Sequence, residues 1–251
     1  MSGVKKPTAR ESFDSTIADA RRLVLLARTL KNRRLRSART ELRERVGLAL
    51  RIAKKDRVLI ECVESDDLFI VLKPGASVSR SDLAASSLQP LLRQALVVAC
   101  AAVETFTADR VMERLGTTLR SGEPPSRLLD APMTVGDWLW IEASYQQRLR
   151  GLRRVIEAEV RQLASPAPSQ VGLLFSWVSE SSLWKRVDTR RGVARGTSEK
   201  ELERIYLRRN KITHAGDRAG RKVADISVDG VDAAITTVEA IVAALDEETG
   251  G

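Results

Sequence analysis

The residues with the clearest chemical potential lie near the C-terminus, in the run Leu207-Arg-Arg-Asn-Lys-Ile-Thr-His-Ala-Gly216. This run contains the only histidine of the chain, His214. Histidine is the side chain type whose ordinary pKa suits proton transfer near neutral pH. Any imidazole chemistry in this protein must therefore use His214.

Arg209 and Asn210 precede His214 by five and four residues. Residues four apart share a helix face, so the Asn210 amide could orient the imidazole or a phosphate. Arg209 is rotated by a further 100° but is long enough to reach the same place, and its planar guanidinium matches a phosphate. These groups could cleave RNA without a metal, by deprotonating the ribose 2′-hydroxyl and stabilising the phosphorane. Alternatively, Arg209 and Asn210 bond helix ends and His214 interacts with the helix dipole.

A helix must carry these side chains. Ser198 and Glu201 have the spacing of a capping box, so we expect a helix from Glu199 to about His214. Gly216 follows directly and could terminate it.

Apolar residues recurring at three- and four-residue intervals predict further helices. We expect their caps at Ser12 or Asp14, at Thr134 and at Asp229. One or two short helices with buried aromatic side chains are expected between Val171 and Val187. The longer helices are expected at Phe13 to Arg36, Ala38 to Lys55, Leu91 to about Leu119, Val135 to Leu163 and Val231 to Leu245.

The pattern predicts an all-α fold with a small accessory N-terminal segment. Within that segment, residues 57–63 and 68–73 are short, β-branched-rich runs that indicate a β-hairpin. We expect a disordered leader at residues 1–10, an accessory segment at 11–80 and a main helical domain at 88–248. The composition changes near Ser77 to Ser87.

The overall composition favours a soluble, nucleic-acid-binding protein. The chain carries a net charge of +9 with a pI near 10.0, which attracts polyanions. The alternative is that its many arginines merely solvate helix faces. The longest uncharged apolar run, Ala95 to Val103, is shorter than the roughly 20 residues of a membrane span, so we expect a cytoplasmic protein. Cys62 and Cys100 lack disulfide or zinc spacing and are expected to be buried thiols.

The Arg-Asn-x-x-x-His pattern near the end of a penultimate helix resembles the signature of HEPN domains, many of which are metal-independent ribonucleases. A long apolar helix with Glu104, an aromatic middle segment and an amphipathic last helix are similar to the RiboL-PSP-type HEPN branch. The resemblance covers about Leu88 to Glu247 and does not include the first eighty residues.

The resemblance implies an endoribonuclease that leaves 2′,3′-cyclic phosphate and 5′-hydroxyl ends. Its catalytic residues would be Arg209, Asn210 and His214, with support from Glu104 and Arg208 and with no metal or cofactor. The reaction needs both a base and an acid, while one chain has one histidine, so we expect a homodimer. The resemblance further implies a toxin or antiviral defence effector, which a cognate antitoxin or a sensor protein could restrain.

Several residues, and the chain as a whole, have more than one interpretation. Glu104 could pair with Arg209, or lie on the surface in a generic ion pair. Arg208, Lys211 and Arg218 could steer RNA, or be solvated charges. The chain could also be a catalytically silent HEPN module for RNA binding or dimerisation, or a structural scaffold that interacts through its hairpin segment.

Overall fold

The computed structural model describes residues 6–31, 33–34, 39–65, 69–77, 79, 81–143, 148–179 and 182–249. This part of the chain is mostly helical with a few short strands, as the predicted all-α class requires. The helices are α1 (Ala9–Lys31), α2 (Thr40–Ala49), α3 (Gln89–Thr118), α4 (Ser126–Leu129), α5 (Val135–Ala143), α6 (Arg148–Leu163), α7 (Pro168–Phe175), α8 (Leu183–Arg191), α9 (Thr197–Ala215) and α10 (Val228–Thr249). The strands are β1 (Arg33–Arg34), β2 (Glu61–Ser65), β3 (Phe69–Leu72), β4 (Arg218–Ala219) and β5 (Lys222–Val223).

The chain forms two compact units, each made of segments that are distant in sequence. Unit 1 comprises Met1–Ala20, Leu96–Ala224 and Ala233–Gly251. Unit 2 comprises Arg21–Ala95 and Asp225–Asp232. All the predicted site residues belong to unit 1.

The core of unit 1 is built from large apolar side chains of several helices. Phe13 of α1 packs edge-on against Phe106 of α3, with ring centroids 6.0 Å apart. The Ala9 amide donates a hydrogen bond of 2.6 Å to Glu113 and fixes the start of α1 on α3. Burying one such side chain contributes about 1.5–3 kcal/mol. The largest fully buried side chains of this unit are Phe13, Val103, Phe106, Leu115, Leu174, Phe175, Leu202, Ile235, Ile241 and Leu245.

Unit 2 contains the predicted β-hairpin. Strands β2 and β3 pair antiparallel, and β1 adds to β2 as a third strand. The first predicted strand was placed too early, because residues 54–59 form a 3₁₀ helix and β2 begins at Glu61. Arg57 is held in that 3₁₀ helix by hydrogen bonds to the Ile52 carbonyl at 3.1 Å and to Glu44 at 2.6 Å.

A small apolar cluster lies next to the hairpin. Ile60 is fully buried there. It packs against four half-buried side chains, Leu42, Val46, Ile52 and Val71. The accessory segment thus has an apolar cluster of its own.

The cap of α1 differs from the prediction. Thr8 and Glu11 form a reciprocal capping box, in which the Thr8 amide donates to Glu11 at 2.7 Å and the Glu11 amide donates to Thr8 Oγ1 at 3.1 Å. The predicted caps Ser12 and Asp14 therefore lie inside the helix. The helix begins at Ala9, within the segment predicted as a leader.

The single helix predicted from Val135 to Leu163 is wrong. A Cβ atom on Gly151 would lie 3.2 Å from Cγ1 of Ile141. Residues ten apart on one straight helix are separated by about 15 Å, so α5 and α6 are two helices packed on each other. Residues 144–147, which the prediction made helical, lie outside the described residues.

Of the remaining caps, one is confirmed and one is wrong. Thr134 caps α5, where its Oγ1 accepts the Asp137 amide at 3.1 Å. The cap of α10 is Ser227, whose Oγ accepts the Gly230 amide at 3.1 Å. Asp229 lies one residue inside that helix, in its first turn.

Helix α3 is long and apolar enough to cross a membrane by length and composition alone. It extends well beyond the uncharged run on which the prediction of no membrane span was based. In its most apolar window, 56% of the helix is buried inside the protein, which is typical of a core helix. The cytoplasmic location stays a prediction.

The start of α9 depends on a buried carboxylate rather than on the predicted capping box. Asp188 of α8 accepts the Gly196 amide at 2.6 Å and the Ser198 amide at 2.9 Å. The Ser198 hydroxyl and the Glu201 carboxylate both accept from Arg191, at 2.7 Å and 2.9 Å. Ser198 and Glu201 therefore connect α9 to α8 instead of capping it.

The charged form of Asp188 is the stable one in this environment. Burial alone would raise the pKa of this carboxyl. Hydrogen bonds from Ser198 and Gly196, together with the nearby charge of Arg191, outweigh that effect and lower the pKa below its ordinary 3.8.

We expect Asp188→Ala to lower the free energy of unfolding by about 3 kcal/mol, because one buried and one partly buried amide lose a charged acceptor. Chemical denaturation with urea measures this. Asp229→Ala is the matched control and should cost about 0.5 kcal/mol, since Asp229 is exposed in the first turn of α10 and, among the residues that the structure describes, interacts with the helix dipole alone. The folded-state pKa of Asp188 is lowered. Its contribution to the free energy of unfolding is therefore present at pH values above the unfolded-state pKa and is lost as the pH falls through the folded-state pKa. Equal losses in the two variants would contradict the assignment.

Candidate active site

Helix α9 carries all three residues of the predicted catalytic set. Its inner face packs through Leu202 and Ile205, which are buried. It ends where predicted, at Gly216, which has the left-handed φ of 58° that glycine adopts without cost. The predicted bounds of this helix are thus confirmed to within two residues at its start and one at its end.

Arg209 lies on the inner face of α9, one turn beyond Ile205. Its Nε atom is buried and has no hydrogen-bond partner among the described residues. Its Nη1 atom donates a hydrogen bond of 3.1 Å to Oδ1 of Asn210. The guanidinium is therefore half-buried and is turned toward the asparagine.

The positive charge of Arg209 affects the pKa of two side chains on α3. Burial raises the pKa of Glu104, and the positive charge of Arg209 opposes this only in part. Burial also raises the pKa of the Cys100 thiol to about 12, so this cysteine stays protonated near neutral pH and is no nucleophile. Within the described residues, Glu104 makes no direct salt bridge with Arg209. The interaction expected between Glu104 and Arg209 is therefore electrostatic, without a direct salt bridge.

Cys100 is buried as expected, whereas the side chain of Cys62 lies outside the described residues. The proximity of Cys100 to Arg209 had no sequence signal. Arg209 of α9 is nevertheless close enough to this thiol of α3 for its charge to oppose the rise in the pKa.

His214 is exposed in the last turn of α9. It makes no hydrogen bond to any residue that the structure describes. Among the described residues, the expected hydrogen bond from Asn210 to His214 is not formed, and Oδ1 of Asn210 accepts from Arg209. Asn210 and His214 share a face, and they are separated by about 6 Å along the helix axis.

The three weaker candidates have different surroundings. Arg208 forms a salt bridge of 2.8 Å with Asp217, whose side chain is 1% exposed. Lys211 is exposed, and its carbonyl accepts the Asp217 amide at 2.8 Å. Arg218 is exposed in the short hairpin of β4 and β5. Arg208 therefore has a structural role in closing the end of α9, in addition to any contact with RNA.

Asp217 is a site element that the sequence analysis missed. It adopts a left-handed φ of 57°, directly after Gly216 with φ 58°. Two such residues in succession turn the chain sharply away from α9, and the Asp217 carbonyl then accepts the Ala224 amide at 2.7 Å. Aspartate is one of the few residues other than glycine that tolerate this conformation.

A groove with a volume of about 810 Å³ runs along the outer side of α9 and meets the first turn of α7. It includes Arg208 and Lys211 but none of the three predicted catalytic residues. Lys200 and Arg204 were missed, although their four-residue spacing before Arg208 was a readable signal. The lining residues are Pro168, Ser169, Gly196, Glu199, Lys200, Glu203, Arg204, Leu207, Arg208 and Lys211.

No group of three or more His, Cys, Asp or Glu side chains suited to a metal ion occurs among the described residues. The site consists instead of an imidazole, an amide and a guanidinium. Such a set can exchange a proton, donate hydrogen bonds and stabilise an anion.

We expect Glu104→Gln to raise the melting temperature slightly at pH 7. Burial disfavours the charged form of Glu104, so its folded-state pKa is raised and stability is lost as the pH rises through that value. The gain should shrink as the pH falls toward 4, where Glu104 is protonated in the wild type. Differential scanning calorimetry over a pH series measures both effects.

Glu113→Gln on the same helix is the control for this experiment. Glu113 accepts the Ala9 amide and pairs with Arg110 at 2.9 Å, so its substitution should lower the melting temperature. A lower melting temperature for Glu104→Gln at pH 7 would show that Glu104 is a net favourable partner of Arg209, and would contradict our account.

No protein-family model matches the chain, and neither a curated protein nor a solved structure is significantly similar to it. The resemblance to HEPN domains therefore rests on the motif and its helical context. Family membership stays a proposal.

Proposed function

We propose that the protein is a metal-independent endoribonuclease of the HEPN type. The observation that carries this proposal is the arrangement at the end of α9. The Arg209 guanidinium donates to the Asn210 amide, one turn from the exposed imidazole of His214. The basic net charge and the groove along the same helix support an RNA substrate.

In the proposed reaction, one imidazole takes the proton of the ribose 2′-hydroxyl, and the 2′-oxygen attacks the adjacent phosphorus. The bond to the 5′-oxygen breaks, and a second imidazole donates a proton to that oxygen. Arg209 stabilises the negative charge on the phosphorane oxygens. The products are a 2′,3′-cyclic phosphate and a 5′-hydroxyl end.

The second imidazole comes from a second copy of the chain, since each chain has one histidine. A two-fold symmetric dimer places the same face of both copies at one interface. The exposed position of His214 at a helix end is compatible with such an interface. In the role that the resemblance implies, the enzyme acts in the cytoplasm as a toxin or defence effector under the control of an antitoxin or sensor.

We expect His214→Ala and Arg209→Ala each to reduce the rate of RNA cleavage by a factor of about 100 or more, measured in the presence of a chelator. Thr213→Ala is the matched control and should cleave at the wild-type rate, because Thr213 is exposed and its hydroxyl bonds only to backbone carbonyls. Circular dichroism melting tests whether each variant is folded. Unchanged cleavage by folded His214→Ala would exclude the mechanism.

Mixed dimers test whether both imidazoles are needed. When wild-type and His214→Ala chains are exchanged in equal amounts, activity should fall to about one quarter, because random pairing makes one dimer in four fully wild type. Native mass spectrometry confirms the exchange. Activity near one half would mean that each chain cleaves independently with its own imidazole, activity near three quarters would mean that one imidazole per shared site is sufficient, and a monomer at active concentrations would rule out the shared site.

A second candidate is a catalytically silent HEPN-like module that binds RNA or a partner chain. It is favoured by one observation, which is that His214 has no side-chain partner to orient its ring within the described residues. Wild-type protein that binds varied RNAs with measurable affinity and leaves them all intact would support this candidate over the enzyme.

A further inference from the structure

The groove on the outer side of α9 contains a row of positive charges. Lys200, Arg204 and Lys211 line it, are exposed, and form no ion pair with any described residue. They recur at intervals of four and seven residues, so they lie along one side of the helix. Arg208 lies in the same row, but it is held by Asp217.

The length of the row of positive charges fits a short segment of a single strand. From Lys200 to Lys211 the helix rises by about 16 Å, which matches about five nucleotides of a stacked strand at about 3.4 Å each. Leu207 offers an exposed apolar contact near the middle of this row, and a single strand exposes its bases to such a contact whereas a duplex stacks and pairs them.

Two glutamates on the side of the groove away from the row of positive charges restrict where phosphates can lie. Glu199 and Glu203 also line the groove, each about 100° around the helix from Lys200 and Arg204. Leu207, which is 49% exposed, provides an apolar surface near the middle. A strand can therefore place its phosphates over the lysine and arginine side chains. Its bases can then lie over Leu207 and toward the side of the groove that carries the glutamates.

The row of charges leads to the imidazole. His214 is three residues beyond Lys211, so it lies on nearly the same side of the helix, about 4.5 Å farther along the axis. We propose that this groove binds the phosphate backbone of single-stranded RNA through Lys200, Arg204 and Lys211 and guides the strand to His214. The guidance to His214 rests on the proposed function, whereas the binding does not.

The test measures binding of a fluorescein-labelled single-stranded oligouridine by anisotropy over a series of salt concentrations. All proteins carry His214→Ala, so that the RNA stays intact. Adding Lys200→Gln, Arg204→Gln and Lys211→Gln together should reduce the slope of log affinity against log salt by about 2, since each phosphate contact to a single strand contributes about 0.7. Arg204→Gln alone should reduce it by about 0.7.

The matched control removes three exposed lysines from unit 2, with Lys54→Gln, Lys55→Gln and Lys73→Gln. It loses the same charge and should keep the slope of the parent protein. An equal drop in this control would overturn the proposal in favour of diffuse attraction. An unchanged slope in the folded groove variant would overturn it directly, and equally tight binding of an oligouridine–oligoadenosine duplex would overturn the choice of a single strand.

A separate cleavage assay keeps the two proposals apart. If protein with His214 intact cuts no RNA, while the groove variant shows the expected reduction in the slope of log affinity against log salt, the enzyme assignment fails and the binding groove stands. If cleavage depends on His214 while the slope is unaffected by the groove substitutions, the enzyme stands and the RNA is bound elsewhere.

Discussion

The orientation of the whole site depends on the carboxylate of Asp188. Helix α9 starts after the left-handed Gly196, where the first amides have no partner within the helix. Asp188 supplies acceptors for two of these amides and thereby connects α8 to the start of α9. Because successive helical residues are rotated by a fixed 100°, this anchored start and the buried side chains of Leu202 and Ile205 together orient the later residues. Arg209 faces the core and His214 faces solvent as a consequence.

The inward position of Arg209 is unfavourable for the stability of the fold. For that reason it bears on whether Arg209 has a role beyond packing. A buried Nε without a partner costs about 1–3 kcal/mol, and an apolar side chain would avoid this cost. Glu104 lies close enough to interact electrostatically with the guanidinium, yet burial disfavours its charged form, and within the described part of the chain no salt bridge compensates either group. Poorly satisfied charges of this kind concentrate at functional sites. The arrangement therefore supports a role for Arg209 beyond packing.

The sequence predicted features that depend on neighbours within a few residues. The apolar periodicity of α9 and its end at Gly216 were predicted from such local signals. Contacts between one helix and another were not predictable. Asp188 caps α9 from another helix, and α6 returns onto α5 so that Gly151 meets Ile141. In both cases a tertiary contact overrode a plausible local pattern. Buried polar groups need hydrogen-bond partners and apolar faces need packing partners, wherever in the chain these lie.

The same distinction applies within the site. Spacing alone indicated that Asn210 and His214 share a face, but not that the side-chain oxygen Oδ1 of Asn210 would accept from Arg209. Arg209 and His214 are about 140° apart around the helix, and Asn210 lies between them, about 40° from His214. The amide nitrogen of Asn210 remains a donor when its oxygen accepts from the guanidinium. A phosphate bound by that nitrogen would lie between the positive charge and the imidazole, so Asn210 is the residue that connects the inner and outer faces of the helix.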